Sequence, residues 1–317
     1  MPGPSRPLRE WWTASRAAAL GVVAVALPLA ACATTPPAGA GHAAGGAIRV
    51  VAAENVWGSL ARQLGGDRVT VTDVVDGPDA DPHDYEPTVA DARAMAGAQL
   101  VIHNGIGYDT WAGRLVAANP VAGRRDLDVG ALVGVKEGGN PHRWYAPADV
   151  RAVVDRITAD YRAIDPAAAS AFDALHDRVV SADLKEYLDL VATIRATYGG
   201  TPVGASESIV APLAEATGLV VATPAAFLAA VSEGTDPTAS DKAVADAQIT
   251  DRKIKVYVYN SQNATPDVQR QVDAARAAGI PLVTVTETLT PPGATFQAWQ
   301  VRQLKDLAAA LARGSGA

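Results

Sequence analysis

The amino-acid sequence predicts an α/β protein: two lobes with parallel sheets, one on either side of a single long α-helix. Three observations lead there. Short apolar runs alternate with helical stretches in both halves of the chain, the pattern of βαβ units. Between the halves, residues 167–198 keep helical spacing with no Gly or Pro until Gly199-Gly200. The 317 residues are also enough for two domains of about 150 each.

The elements follow in order. IRVVAA (48–53) is an apolar, β-branched strand, and NVWGSLARQLGG (55–66) is a helix through Val56, Leu60 and Leu64 that a Gly pair closes. VTVTDVV (69–75) alternates as a second strand. Thr88 caps a helix over 89–98 with Asp91 as its box partner, and QLVIHNG (99–105) is a third strand. After NPHRWYAP (140–147), residues 148–164 read as a helix that Asp165-Pro166 ends.

The long segment places Phe172, Leu175, Val179, Tyr187, Val191, Ile194 and Tyr198 at helical positions. Some 30 residues of helix would measure roughly 45 Å, longer than one small domain needs. A helix joining two lobes explains that length; a coiled-coil arm is the plainer alternative. The rhythm then resumes with strands at 201–205, 219–224, 254–260 and 282–285. Helices are predicted at 208–218, at 239–249 behind Thr238, from Thr265-Pro266 to Gly279, and at 295–312. The predicted boundaries are 48–165 for the first lobe, 166–199 for the linking helix and 200–317 for the second lobe.

Composition excludes one class of function. A net charge of −7 and the absence of a basic run interleaved with aromatics give no footprint for nucleic acid. The 49% hydrophobic content suits a globular protein with a real core.

Residues 1–32 stand apart. Arg6, Arg9 and Arg16 form a basic leader, and Ala17–Ala31 is an apolar run of about 15 residues, short of the ~20 that span a bilayer. That is an export signal. It ends Leu29-Ala30-Ala31-Cys32, which resembles a bacterial lipobox, with Cys32 as the lipidated first residue of the mature chain. Cys32 is the sole cysteine, so it has no intrachain disulfide to make. A buried structural cysteine is the alternative. Residues 33–47, rich in Pro, Gly and Ala and containing His42, read as a flexible tether.

Four acid and imidazole residues lie where open α/β sheets bind ligands, beyond the carboxyl ends of strands. His83 follows the second strand, and His142 sits in the loop that closes the first lobe. Glu207 and Glu287 follow the strands at 201–205 and 282–285. Two imidazoles and two carboxylates suit a borderline divalent ion such as Zn, Mn or Fe(II). Each also has a plainer reading: a histidine beside a proline as a turn residue, Glu207 as a helix cap, Glu287 as a solvated side chain. His103, at a strand end, reads as a buried hydrogen-bonding group, and His176 as a solvent-facing residue of the long helix.

With these motifs the chain resembles the metal-binding receptors of bacterial ABC importers for zinc and manganese. The specific parts are DPHDYEPT (81–88), Asn104 to Trp111, and NPHRWYAP (140–147); weaker ones are GASES (204–208), YNSQNATP (259–266) and VTETLTPPGATFQAW (285–299). The resemblance implies two Rossmann-like lobes with a metal site in the cleft between them. It implies His83, His142 and Glu207 as ligands, with Glu287 at a position that is usually Asp in the family. It also implies Zn2+ or Mn2+ as transported ligand, an ABC permease and its ATPase as partners, a monomer, and a lipid anchor on the extracytoplasmic face of the membrane. The His-rich loop of many zinc-specific members is absent.

Prolines before both histidines restrict the backbone, and Tyr85 and Trp144, two residues beyond them, are placed to wall the site from water. Two other functions compete with a metal receptor. An exported zinc hydrolase would keep an open coordination position and lacks an H-E-x-x-H signature here. A receptor for a chelated metal or vitamin would leave the paired histidines unexplained.

Overall fold

Val50, Val51, Ala52 and Ala53 have no exposed face, so β1 (Ile48–Glu54) settles at the centre of a sheet, buried on both sides. A computed structural model describes residues 46–77, 85–263 and 265–316. Cys32, the tether with His42, and His83 lie outside the described residues. The first lobe runs β1, α1 (Asn55–Gly65), β2 (Val69–Val75), α2 (Val89–Gly97), β3 (Leu100–His103), α3 (Thr110–Ala118), β4 (Arg125–Asp128), α4 (Val129–Val133) and α5 (Pro147–Ile164). Its parallel sheet has the order β2-β1-β3-β4.

Local chemistry sets several of these boundaries. The Thr88 hydroxyl accepts from the Asp91 amide while the Asp91 carboxylate accepts from the Thr88 amide, the predicted capping box of α2. Gly58 lets α1 press on the sheet, since a Cβ there would lie 1.8 Å from Asp73 Oδ1. β4, α3 and α4 were not predicted. The β4 sequence RDLD buries only Leu127, and its strand state comes from pairing with β3 and from Arg125 bonding the buried Asp160 of α5.

The linking element is helical from Pro166 to Tyr198, but not straight. It comprises a 3-10 turn at Pro166–Ala168, α6 (Ala169–Arg178), a π turn at Val179–Asp183, and α7 (Lys185–Tyr198). Leu184 N donates to Val179 O at 2.9 Å, the i→i−5 bond that marks the bulge. Phe172, Val179, Tyr187 and Ile194 are buried along it as the spacing predicted. His176 departs from its reading: it is half-buried, with Nε2 2.6 Å from Asp155 of α5.

The second lobe runs β5 (Pro202–Ala205), α8 (Ala211–Thr217), β6 (Val220–Val221), α9 (Ala225–Ser232), α10 (Ala239–Thr250), β7 (Val256–Asn260), α11 (Pro266–Ala277), β8 (Leu282–Val285) and α12 (Phe296–Ser315). Its parallel sheet, β6-β5-β7-β8, repeats the connectivity of the first. The strand predicted over 219–224 shrinks to two residues at the sheet edge, where Val220 is exposed.

One hydrophobic core runs through both lobes and the linking helix. The segment after β8 docks on the first lobe by polar contacts as well. Leu289 N donates to Asn55 Oδ1 at 3.1 Å, Phe296 N to Ser59 Oγ at 3.0 Å, and Gln300 Nε2 to Trp144 O at 3.0 Å. Among the described residues no helix is long and apolar enough to cross a membrane.

Candidate metal centre

Parallel strands point their carboxyl ends the same way, and in both lobes those ends carry the polar side chains. Asn260 is the last residue of β7. Glu207 stands two residues past β5, and Glu287 two past β8. From the first lobe, the loop after β3 brings Tyr108, and the turn before Arg143–Tyr145 brings His142. His142, Glu207 and Glu287 thereby come together, with one nitrogen and two carboxylate oxygens all within 4.8 Å of one another. Their exposures of 0%, 1% and 4% leave none of the three in bulk water.

The imidazole is oriented from behind. The Asn140 amide donates to Ser208 O at 2.7 Å, which turns its oxygen toward His142. That oxygen accepts from His142 N and lies 3.0 Å from Nδ1. An amide oxygen only accepts, so Nδ1 carries the proton and Nε2 keeps the lone pair. The loop itself is fixed by Asn104, whose Nδ2 donates to Pro141 O at 2.9 Å and whose Oδ1 accepts from Trp57 Nε1 at 3.2 Å. Asp109 accepts from the Asn104 and Gly105 amides at 2.6 and 2.7 Å, so the turn that presents Tyr108 is held too.

Asn260 binds both carboxylates. Its Nδ2 donates one hydrogen to Glu207 Oε1 and the other to Glu287 Oε1, the latter at 2.7 Å. Its Oδ1 accepts from Gln262 N at 2.9 Å, which fixes the amide's orientation. Glu207 Oε2 further accepts from Ser232 Oγ at 3.1 Å and Asn263 Nδ2 at 3.2 Å, and Glu287 Oε2 accepts from Tyr108 at 2.6 Å. These donors do not neutralise the pair. Burial first, then the Glu287 charge, pushes the Glu207 carboxyl up to about 8. Burial and the neighbouring carboxylate thus favour a proton on Glu207, and a divalent cation between the two carboxyls would replace it. One imidazole nitrogen and two carboxylates are a donor set for Zn, Mn or Fe(II), so the residues present fit such an ion.

Trp144 walls the site as expected: its ring meets His142 edge-on at 5.4 Å and Tyr108 at 5.3 Å. Tyr85 packs on Trp111 at 5.0 Å with its hydroxyl on Asp91. Glu207 is not a helix cap, for its side chain makes no bond to the turn at Ser208–Val210. His103 is buried, as expected, but among the described residues its Nδ1 has no hydrogen-bond partner. The sequence reading missed Asn260, Asn140, Tyr108 and Ser232. A polar residue ending a strongly apolar strand was the available signal for Asn260.

Comparisons with known proteins bear on the family and the fold. Residues 50–310 match the family described as zinc-uptake complex component A, periplasmic. The chain is 27% identical over 161 residues to the manganese-binding lipoprotein MntA of Halalkalibacterium halodurans, covering 47% of this chain and 52% of that protein. It is 27% identical over 135 residues to the iron-binding protein YfeA of Yersinia pestis, covering 40% of this chain and 42% of that protein. The chain thus spans about half the length of the curated relatives it matches.

In three dimensions it is similar to the Mn-bound periplasmic metal binding protein from Candidatus Liberibacter asiaticus. The TM-score is 0.68 at 21% identity, over 83% of this chain and 98% of that one. The substrate-binding protein FpvC from P. aeruginosa, in complex with Ni2+, gives 0.69 at 20% identity, over 86% and 98%. Those two likenesses establish the two-lobed fold. The match over residues 50–310 establishes more: the chain belongs to the family of the periplasmic component A of zinc-uptake complexes.

Proposed function

We propose that the protein is an extracytoplasmic receptor that captures a divalent metal ion, zinc or manganese, and delivers it to an ABC permease driven by its ATPase. The observation that carries this reading is the buried meeting of His142, Glu207 and Glu287 between two lobes. Membership of the family supports it, as do relatives named for manganese and iron binding. His83, which follows β2 in the chain, is the fourth ligand in this reading. Residues 1–32 are a lipoprotein export signal, and Cys32 carries a lipid that holds the monomer at the outer face of the cell membrane.

Elemental analysis of protein purified from its native host, joined to calorimetric titration with Zn2+ and Mn2+, tests the function. One ion per chain is expected. A protein that takes up neither ion would overturn the reading. The anchor has its own test: Cys32→Ala is expected to move the protein to the soluble fraction or leave it unprocessed. A processed, membrane-bound variant would contradict the lipid.

Affinity should also depend on pH. Protons compete with the ion for the carboxylate pair, whose Glu207 member titrates near 8. Binding is expected to tighten as pH rises toward 8, by up to about tenfold per unit while one proton is displaced. The ligand-free fold responds with the opposite sign. A carboxyl raised from 4.5 to about 8 contributes stability that is full below 4.5 and is lost as pH rises through 8. Melting curves without metal should therefore fall across that window, and curves at saturating metal should fall less. A dissociation constant that stays constant between pH 5 and 8 would contradict proton competition.

A further inference from the structure

We propose that the metal ion enters and leaves the centre through a cavity between the lobes, and that Glu137 and Glu233 on its walls set the rate of capture. This rests on the functional reading above. The cavity has a volume of about 360 Å3 and is lined from both lobes, by loops 106–108 and 137–141 on one side and by Ser208, Ala229, Ser232 and Glu233 on the other.

Its inner wall touches each of the three described members of the centre. Tyr108 donates to Glu287 Oε2, Asn140 accepts beside His142 Nδ1, and Ser232 donates to Glu207 Oε2. Tyr108 and Ser232 are 1% and 6% exposed, so the cavity ends one side chain short of Glu287 and Glu207. Ser208 Oγ lies 2.8 Å from Ser232 Oγ and 3.4 Å from His142 Nδ1, completing an oxygen-lined passage toward the site.

The outer wall has a different character. Glu137 and Glu233 are exposed, and among the described residues they are the charged ones lining the cavity, one from each lobe. Gly107, Gly138 and Gly139 keep the wall between them free of bulk. Two carboxylates at a cleft mouth concentrate a divalent cation, and side-chain and hydroxyl oxygens along the way can replace its water ligands stepwise. Lys136, the nearest basic residue in sequence, lines an adjoining cavity beside α3 that shares Ile106, Gly107 and Glu137 with this one.

Stopped-flow fluorescence with Mn2+ or Zn2+ tests the route, Trp144 beside His142 serving as reporter, with calorimetric affinities measured in parallel. The double variant Glu137→Gln/Glu233→Gln should associate roughly tenfold more slowly at low salt, with dissociation unchanged. The difference should vanish near 1 M salt, where the Debye length is about 3 Å. Ala229→Trp fills the mouth from an exposed position on α9, so it leaves the core untouched. It should slow association and dissociation by the same factor and leave the affinity unchanged. Wild-type kinetics in Ala229→Trp, with normal affinity, would overturn the route alone. A wild type that binds neither ion would overturn the functional reading and the route with it.

Discussion

Replacing Glu207 by alanine is expected to abolish the rise in melting temperature that Zn2+ or Mn2+ gives the wild type. At free metal 100 times the dissociation constant, binding stabilises the fold by ~2.7 kcal/mol through mass action. Removing groups that only orient ligands lowers metal affinity by about 10–100-fold. Loss of a ligand carrying half the compensating charge should reach or exceed the upper figure. His142→Ala should act alike, for it deletes the single nitrogen of the described set.

Glu287→Ala is the sharper comparison, because the family resemblance implies Asp at that position. If Glu287 is a ligand, its metal-induced shift shrinks as well, while Asn260 and Tyr108 lose an acceptor. A shift equal to wild type would remove Glu287 from the centre. Thermal melts of the three variants, with and without each ion, read all of this directly.

Phe296→Ala should give the largest loss of stability. Phe296 is fully buried at the first turn of α12. Its ring meets Tyr187 of the linking helix at 5.9 Å and Trp299 at 6.0 Å, and its amide donates to Ser59 of α1. One residue thus touches the second lobe, the linking helix and the first lobe. Truncating a buried Phe costs roughly 3–5 kcal/mol, which for a chain this size lowers the melting temperature by roughly 5–9 °C. The proposed ligands are untouched, so saturating metal should recover about 2.7 kcal/mol. Chemical denaturation measures both, and a loss below ~1 kcal/mol would show that this junction does not couple the lobes.

The elements legible in the sequence are those whose reasons are local. β2 is found at residues 69–75 because its alternation is written in the sequence itself. The helices behind Thr88, Thr238 and Thr265 are found because each threonine accepts from an amide three residues on. β4 is not, since its strand state depends on β3 and on Asp160 of α5. α9 escapes for want of punctuation: AAFLAAVS has no side-chain cap, and Pro224 precedes it. The π turn at Val179–Asp183 leaves the hydrophobic spacing intact, so the linking helix reads as straight when it is not.

The candidate centre follows the same division. His142, Glu207 and Glu287 are legible as acid and imidazole groups just past strands or beside a proline. Asn260 has no role until the ends of β5, β7 and β8 converge, when its amide becomes the donor shared by two carboxylates. Ser232 belongs to the same class, since the fold brings it to Glu207, and Asn140, though only two residues from His142, is oriented by Ser208 O of the other lobe.

The central claim is that one divalent ion sits where His142, Glu207 and Glu287 converge. Anomalous diffraction at the metal edge, from crystals grown with Zn2+ or Mn2+, tests it most directly. A single strong peak per chain is expected, about 2.0–2.2 Å from a His142 nitrogen and from oxygens of Glu207 and Glu287 if the ion is zinc. A peak elsewhere on the chain, or a metal-soaked crystal with no peak among these three side chains, would contradict it.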